Sequence, residues 1–317
     1  MTKTILITGV AGFLGSHLAS ELLCVPETTI IGVDNLSTGE MSNIEKLLEL
    51  ANFQFIEYDV VNPEILNINN LEKTHEIYHL ASPASPKFYQ STPLDTIDVN
   101  ISGTKNILEL AKRTSAKIVY TSPSEAYGDP EVHPQDETYR GNVNTWGPRA
   151  CYDESKRMGE VLCYLYRSLY NIPVKVARIF NTYSAGLRND DERVISNFVT
   201  QALTGKDITV YGDGSQARSF CYVTDTIAGL MLMIEKDEAT GEIINIGNQM
   251  EYKIIEMAHL VKEITKSSSL ISFHLLPKDA PKQRRLGIEK AKKLLGWEAN
   301  VHLEEGWKLT IDTYKNI

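Results

Sequence analysis

The stretch TILITGVAGFLGS near the start of the chain leaves few folds open. A β-branched run over 4–8 passes into Gly9, Gly12 and Gly15, and an apolar helical pattern over 14–23 follows at once. Glycines at that spacing let the chain turn tightly, let backbone N–H groups approach a pyrophosphate, and let the helix pack close to the strand. The helix N-terminus then faces the phosphates, where its dipole favours negative charge. A glycine-rich turn without a ligand is the bland alternative, and the residues that follow weigh against it.

Short β-branched runs alternate with longer helical patterns through the first half. Strands are predicted over 4–8, 29–34, 53–59, 76–81, 116–121 and 174–179, and helices over 14–23, 101–113 and 153–170. That alternation predicts an α/β fold, a Rossmann-type doubly wound parallel sheet with helices on both faces. After about residue 180 the strands become isolated (208–211, 243–246, 271–276) and the loops richer in Gly, Asn, Asp and Arg. The expected domains are therefore 1–180, a dinucleotide-binding unit, and 181–317, a smaller α/β C-terminal substrate lobe. The segment near 243–247 is a candidate to return to the first sheet. In the helix over 153–170, Met158, Val161, Leu162, Leu165, Tyr166 and Leu169 recur at helical spacing and make one apolar face.

The second strand ends in Asp34, 19 residues past Gly15. A carboxylate there accepts both hydroxyls of an adenosine ribose. The following DNLSTGE has no Arg or Lys to neutralise a 2′-phosphate, so NAD is expected rather than NADP. The cofactor-binding set expected from the turn is Gly9, Gly12, Phe13, Leu14 and Gly15. From the second strand end and its loop come Asp34, Asn35, Ser37, Thr38 and Gly39. Asp59 and Val60 are placed to bracket the adenine, and Leu80 and Ala81 close the set.

The net charge of −9 and pI near 5.4 argue against nucleic acid as the main partner. The four cysteines form no CxxC pair and the seven histidines no HExxH pair, so neither a disulfide frame nor a metal is expected. No apolar run is long enough to span a bilayer and no leader pattern opens the chain, so a cytoplasmic protein without a membrane partner is expected.

Tyr152 and Lys156 stand four apart in YDESK, on one face of a predicted helix. An ammonium near a phenol stabilises the phenolate and lowers its pKa. A phenolate so poised can take a proton from a substrate hydroxyl while hydride leaves the same carbon for a nicotinamide. A bare YxxxK pair is common by chance. Behind a glycine-rich turn and a strand ending TSPSEAYG it gains weight, and Tyr152 and Lys156 are the expected catalytic pair and belong to the cofactor-binding set, Lys156 holding the nicotinamide ribose.

In these motifs the chain resembles the extended short-chain dehydrogenases/reductases, and among them it is most similar to the UDP-glucuronate decarboxylases. The resemblance rests on HLASPASP (79–86), SEAYGDPEVHPQ (124–135), GPRACYDESKR (147–157), ARIFNTY (177–183), RVISNF (193–198), TVYGDGSQARSFCYV (209–223) and KKLLGWE (292–298). It implies tightly held NAD, oxidation of the sugar at C4, a nucleotide-sugar substrate, and a homodimer built through a four-helix bundle. It also implies substrate contacts from Asn181, Val210, Tyr211, Arg218 and Arg284, with Lys87 and Arg193 as further candidates, and roles for Ser124 and Glu125 beside the catalytic pair. Arg218 and Arg284 match the diphosphate-binding arginines, since a planar guanidinium grips two oxygens at once.

Three departures fall where the chemistry should be. Pro123 stands where the resemblance expects a threonine hydroxyl, and proline has no donor. Ser184-Ala185-Gly186 stands where Gly-Pro-Arg is expected, so the arginine implicated in decarboxylation is missing, with Arg188 two residues on. Arg140 and Thr145-Trp146 replace a Trp and a Pro-Ile in the loop expected to face the sugar. Leu286-Gly287 replaces Pro-Asp after Arg284, which leaves both uracil and guanine open as the base. The expected activity is therefore C4 oxidation of a UDP- or GDP-linked hexose, hexuronate or heptose of a surface-polysaccharide pathway. The alternatives are UDP-glucuronate decarboxylation to UDP-xylose, with Arg188 in the vacancy, and a non-catalytic protein that binds NAD and a sugar nucleotide.

Overall fold

The computed structural model describes residues 2–188, 190–191, 193–276 and 283–315. Its strands are β1 (Lys3–Thr8), β2 (Thr28–Asp34), β3 (Phe53–Glu57), β4 (Glu76–His79), β5 (Lys117–Pro123), β6 (Val174–Ile179), β7 (Thr182–Tyr183), β8 (Ile208–Tyr211), β9 (Ala217–Ser219), β10 (Cys221–Tyr222), β11 (Ile243–Ile246), β12 (Glu251–Lys253), β13 (Ile271–His274) and β14 (Gln283–Arg284). Its helices are α1 (Phe13–Leu23), α2 (Pro86–Ser91), α3 (Pro93–Asp98), α4 (Thr104–Thr114), α5 (Ala150–Tyr170), α6 (Val194–Thr204), α7 (Val223–Glu235), α8 (Ile254–Thr265), α9 (Glu289–Leu295) and α10 (Leu303–Lys315).

Seven strands form one parallel sheet in the order β11-β6-β5-β4-β1-β2-β3. These are the β-branched runs, and they are buried because helices cover both faces. α1 and α7 pack together on one face, and α4 and α5 on the other. The expected doubly wound α/β sheet is what the chain forms. Strand order reverses at β1, between β2 and β4, which is where such a sheet opens a ligand crevice.

Two details differ from expectation. β5 runs on through Pro123, which pairs with Ile179 at an end of the strand where the lost N–H is tolerated. The helix expected from residue 101 starts instead with a π turn at Val99–Gly103 before α4. β11 does return to the first sheet, beside β6, so the chain crosses back after residue 180. The remaining strands make small sheets, β10 with β7, β13 with β8, and β9 between β12 and β14. α6, α8 and α10 pack around them.

α5 carries YDESK, and its approach to β5 fixes the site. A Cβ on Gly159 would lie 2.1 Å from the Tyr120 hydroxyl, so only glycine lets the helix come this close. Asn100 Nδ2, in the π turn, donates to Ser155 Oγ at 2.9 Å and pins the same stretch of α5. Below them Arg178 grips Glu160 in a buried pair, and Ser122 donates to the same carboxylate at 2.6 Å. The other side of α5 is bare: Met158, Val161, Leu165 and Leu169 are exposed, whereas Tyr166 turns inward and Leu162 is half-buried. Among the described residues, no helix is long and apolar enough to cross a membrane.

Candidate active site

A cleft of about 770 Å³ opens at the switch point, over the carboxyl ends of β1, β2, β4 and β5. Gly9, Gly12 and Gly15 form its floor. Gly9 has φ +74°, and a Cβ on Gly15 would come within 2.1 Å of the Gly9 carbonyl, so both positions require glycine. Phe13 and Leu14 open α1 beside them.

Asp34 closes the far end of this floor. Its Oδ2 accepts the Ala11 N–H at 3.0 Å and its Oδ1 the Leu36 N–H at 2.9 Å. Burial raises its carboxyl, and the Leu36 and Ala11 amides oppose that rise. Asn35 Nδ2 donates to Asp59 Oδ2 at 3.0 Å, tying the two strand ends together. Ser37, Thr38, Gly39, Asp59, Val60, Leu80 and Ala81 line the same cleft. All fourteen residues expected against a cofactor outside the catalytic pair are thus brought together. The cleft has glycine-lined room for a diphosphate and a carboxylate for a ribose, which is the donor and acceptor set a dinucleotide needs.

Tyr152 and Lys156 meet this cleft from α5. Lys156 is buried, and its Nζ donates to the Thr121 carbonyl at 3.0 Å. Burial brings its pKa down to about 7. Tyr152 stacks on Tyr89, with ring centroids 4.7 Å apart and planes 5° from parallel. Here the expectation of a lowered phenol needs correction. Burial holds Tyr152 well above the phenol range, Glu125 pushes the same way, and Arg193 is the cation that pulls back. The lysine's ammonium is turned to the Thr121 carbonyl. Behind it, His79 bridges Thr8 and Thr104 (2.7 and 3.1 Å) and is held neutral, near pKa 3, by burial and then by Lys156.

Glu125 and Ser124 follow Pro123 in a short turn and also line the cleft. Ser124 Oγ donates to Glu125 Oε2 at 3.2 Å. Arg149 Nη2 reaches Glu125 Oε1 at 3.2 Å, and Arg284 Nη1 donates to the same oxygen. Burial pushes the Glu125 carboxyl up, but Arg284 and Arg149 outweigh it and leave the pKa at about 2. Asp153, 3.8 Å from Arg149, is raised to about 7 by burial and by Glu125.

Asn181 and Arg193 line the cleft as expected. Asn181 Nδ2 donates to the Ser219 carbonyl at 3.1 Å, and Arg193 pairs with Asp191. The other substrate candidates lie off the cleft. The Val210 side chain is fully buried, because alternation along β8 turns Ile208 and Val210 inward and Thr209 and Tyr211 outward, so its side chain is not offered to a base. Tyr211 lies beside His274, ring centroids 6.1 Å apart. Lys87 is drawn to Asp190, donating to its carbonyl at 2.8 Å and its carboxylate at 3.0 Å. Arg188 clasps that same Asp190 and reaches Glu40 at 3.9 Å. Arg218 donates to the Ala217 carbonyl at 2.8 Å, and Arg284 is tied to Glu125 in the turn after β5. Reading the sequence missed Arg149, Asp153 and Tyr89. Arg149 had a signal, three residues before Tyr152 in GPRACY; Tyr89 stood in a different helix with none.

The model of the NAD dependent epimerase/dehydratase family matches residues 5–247. The chain belongs to that family. It is 47% identical over 312 residues to UDP-glucuronic acid decarboxylase 1 of Danio rerio, covering 98% of this chain and 72% of that protein. It is also 47% identical over 311 residues to UDP-glucuronic acid decarboxylase 6 of Arabidopsis thaliana, covering 98% and 88%. The solved UDP-glucuronic acid 4-epimerase of Bacillus cereus, in complex with UDP-glucuronic acid and NAD, matches with a TM-score of 0.88 at 30% identity over 99% of each chain. The UDP-glucose 4-epimerase of Thermotoga maritima matches with a TM-score of 0.91 at 29% identity, again over 99% of each chain. Members of the family act on nucleotide sugars and depend on NAD, as the resemblance implied.

The buried lysine makes a pH prediction. Its pKa of about 7 in the fold lies below that of an unfolded lysine, so the penalty for burying its charge is complete below pH 7 and is relieved as pH rises towards the unfolded value. The stability of the cofactor-free protein relative to Lys156→Met should therefore climb between pH 7 and pH about 10 in urea titrations. A difference that stays flat over that window would show that Lys156 is not held neutral.

Proposed function

We propose that this protein is an NAD-dependent oxidoreductase that oxidises C4 of a nucleotide-activated sugar and leaves a 4-keto product. The observation that supports this most is the meeting of Tyr152, Lys156 and the glycine turn in one cleft, beside a strand end where Pro123 supplies no hydroxyl. When bound, oxidised NAD supplies the hydride acceptor. The glycine turn and the start of α1 would hold its diphosphate, Asp34 its ribose hydroxyls, and Lys156 the ribose beside the nicotinamide. Tyr152 takes the proton of the C4 hydroxyl as the C4 hydrogen departs. Burial disfavours its phenolate, so nearby positive charge has to offset that cost, and in the free protein Arg193 supplies it. Glu125, kept ionised, is available to take a second proton or to hold water. Arg218 and Arg284 would meet the diphosphate of the sugar nucleotide, which makes 181–317 the substrate lobe.

The relatives favour a second reading, decarboxylation of UDP-glucuronate. Against it stands Gly186, whose φ of +98° suits glycine and leaves no cation there. Arg188 lines the same cleft; in the free protein it is turned to Asp190 and lies 3.9 Å from Glu40, so filling the vacancy would need it to leave these exposed partners. We further assign the bare face of α5 (Met158, Val161, Leu165, Leu169) to a homodimer interface.

Incubation with UDP-glucuronate and a panel of other UDP- and GDP-sugars separates the readings. A 4-keto sugar with bound NADH is expected; release of carbon dioxide would establish decarboxylation instead, and no product from any sugar would mark a binding protein. Pro123→Thr should raise the rate of C4 oxidation about 2- to 10-fold with little change in nucleotide affinity, the worth of one hydrogen bond. An unchanged rate would mean another group already serves. Light scattering should give twice the 35.5 kDa chain mass, and the single-chain mass would rule the dimer out.

A further inference from the structure

Arg218 and Arg284 are register partners in the parallel pair of β9 and β14, so two guanidiniums of like charge lie side by side. Burial and then Arg284 hold Arg218 below the ordinary arginine range, at about 10, and Glu125 is the first anion to favour its charge. Arg284 Nη1 donates to Glu125 Oε1 and to Ser124 Oγ (3.3 Å), and its Nη2 to the Gly128 carbonyl (3.3 Å). Its side chain is 5% exposed, and its Nε is buried without a hydrogen-bond partner. Arg284 belongs to the C-terminal lobe, whereas Ser124 and Glu125 form the turn that lines the cleft next to Tyr152.

We infer that Arg284 is a shared group: in the free protein it positions Glu125, and the diphosphate of an incoming nucleotide competes with Glu125 for it. The inference rests on the nucleotide-sugar reading above. A guanidinium has five donors in a fixed fork, and a diphosphate is a stronger, doubly gripping acceptor than one carboxylate oxygen. Glu125 thus supplies in the free protein the negative charge that the diphosphate brings to the complex. Two anions that compete for one cation weaken each other's hold by the same factor. Diphosphate binding would then loosen Glu125 from its clamp as the sugar arrives beside it, and Arg284 acts on the chemistry as a positioning residue through Glu125.

Calorimetric titration of the NAD-loaded protein with UDP and with GDP tests this. Glu125→Gln, which removes the competing charge, should tighten at least one of the two nucleotides about tenfold, the worth of a hydrogen bond to a charged group. In the Arg284→Gln background, which removes the cation the two anions share, the same change should have little effect. A gain of equal size in both backgrounds would mean a general loss of negative charge and would overturn the shared role, as would no gain from Glu125→Gln or no binding of either nucleotide to the wild type. Thermal melts of each variant show that the fold is kept. These titrations read binding alone, so they fail or succeed apart from the product assays that test C4 oxidation.

Discussion

The contact between Lys156 Nζ and the Thr121 carbonyl, 3.0 Å long, joins α5 to β5. It exists because Gly159 lets α5 settle onto Tyr120 and because Asn100 holds Ser155 from the π turn. With α5 so seated, Tyr152 reaches the cleft over the glycine turn. A wider helix–strand spacing would carry Tyr152 and Lys156 away together, since they share one helical face. Pro123 costs this arrangement little. It lies at the end of β5, and the buried Ser122–Glu160–Arg178 network secures the strand one residue earlier.

The electrostatics are arranged around opposed groups. Glu125 is held ionised by two arginines, while Asp153, on the far side of Arg149, is raised towards neutrality by burial and by Glu125. Tyr152 is raised by burial and by Glu125. A free protein in this state keeps its phenol protonated. Added positive charge in the cleft would favour its phenolate, and an oxidised nicotinamide would carry such a charge. The Arg284 contact weighs on the same balance, because it offsets part of the Glu125 charge that raises the phenol.

Much of this could be read from the chain. The glycine turn, Asp34 and the loop at Asn35–Gly39 obey local rules, in which backbone conformation and strand ends dictate residue type, so they fell where expected. YDESK was legible because helical spacing alone places both groups. The substrate side was less so. Val210 matched a motif, but strand alternation buries it. Arg284 and Lys87 were expected to contact substrate, but their partners here, Glu125 and Asp190, lie 159 and 103 residues away, and no local pattern announces such contacts. Tyr89 reaches Tyr152 only through the packing of α2 on α5. The bare face of α5 was visible as an apolar stripe, but only the packed fold shows which part of it faces outward.

The central claim is that the Tyr152 phenol removes the proton from the sugar hydroxyl at C4. Its most direct measurement is NADH formation by Tyr152→Phe, followed by nicotinamide absorbance, with the sugar nucleotide that the wild-type protein oxidises. A fall of roughly 10²- to 10⁴-fold is expected, the usual worth of a positioned general base, with nucleotide affinity unchanged. A rate within about twofold of wild type would contradict it, because such a change is far below what loss of the base should cost.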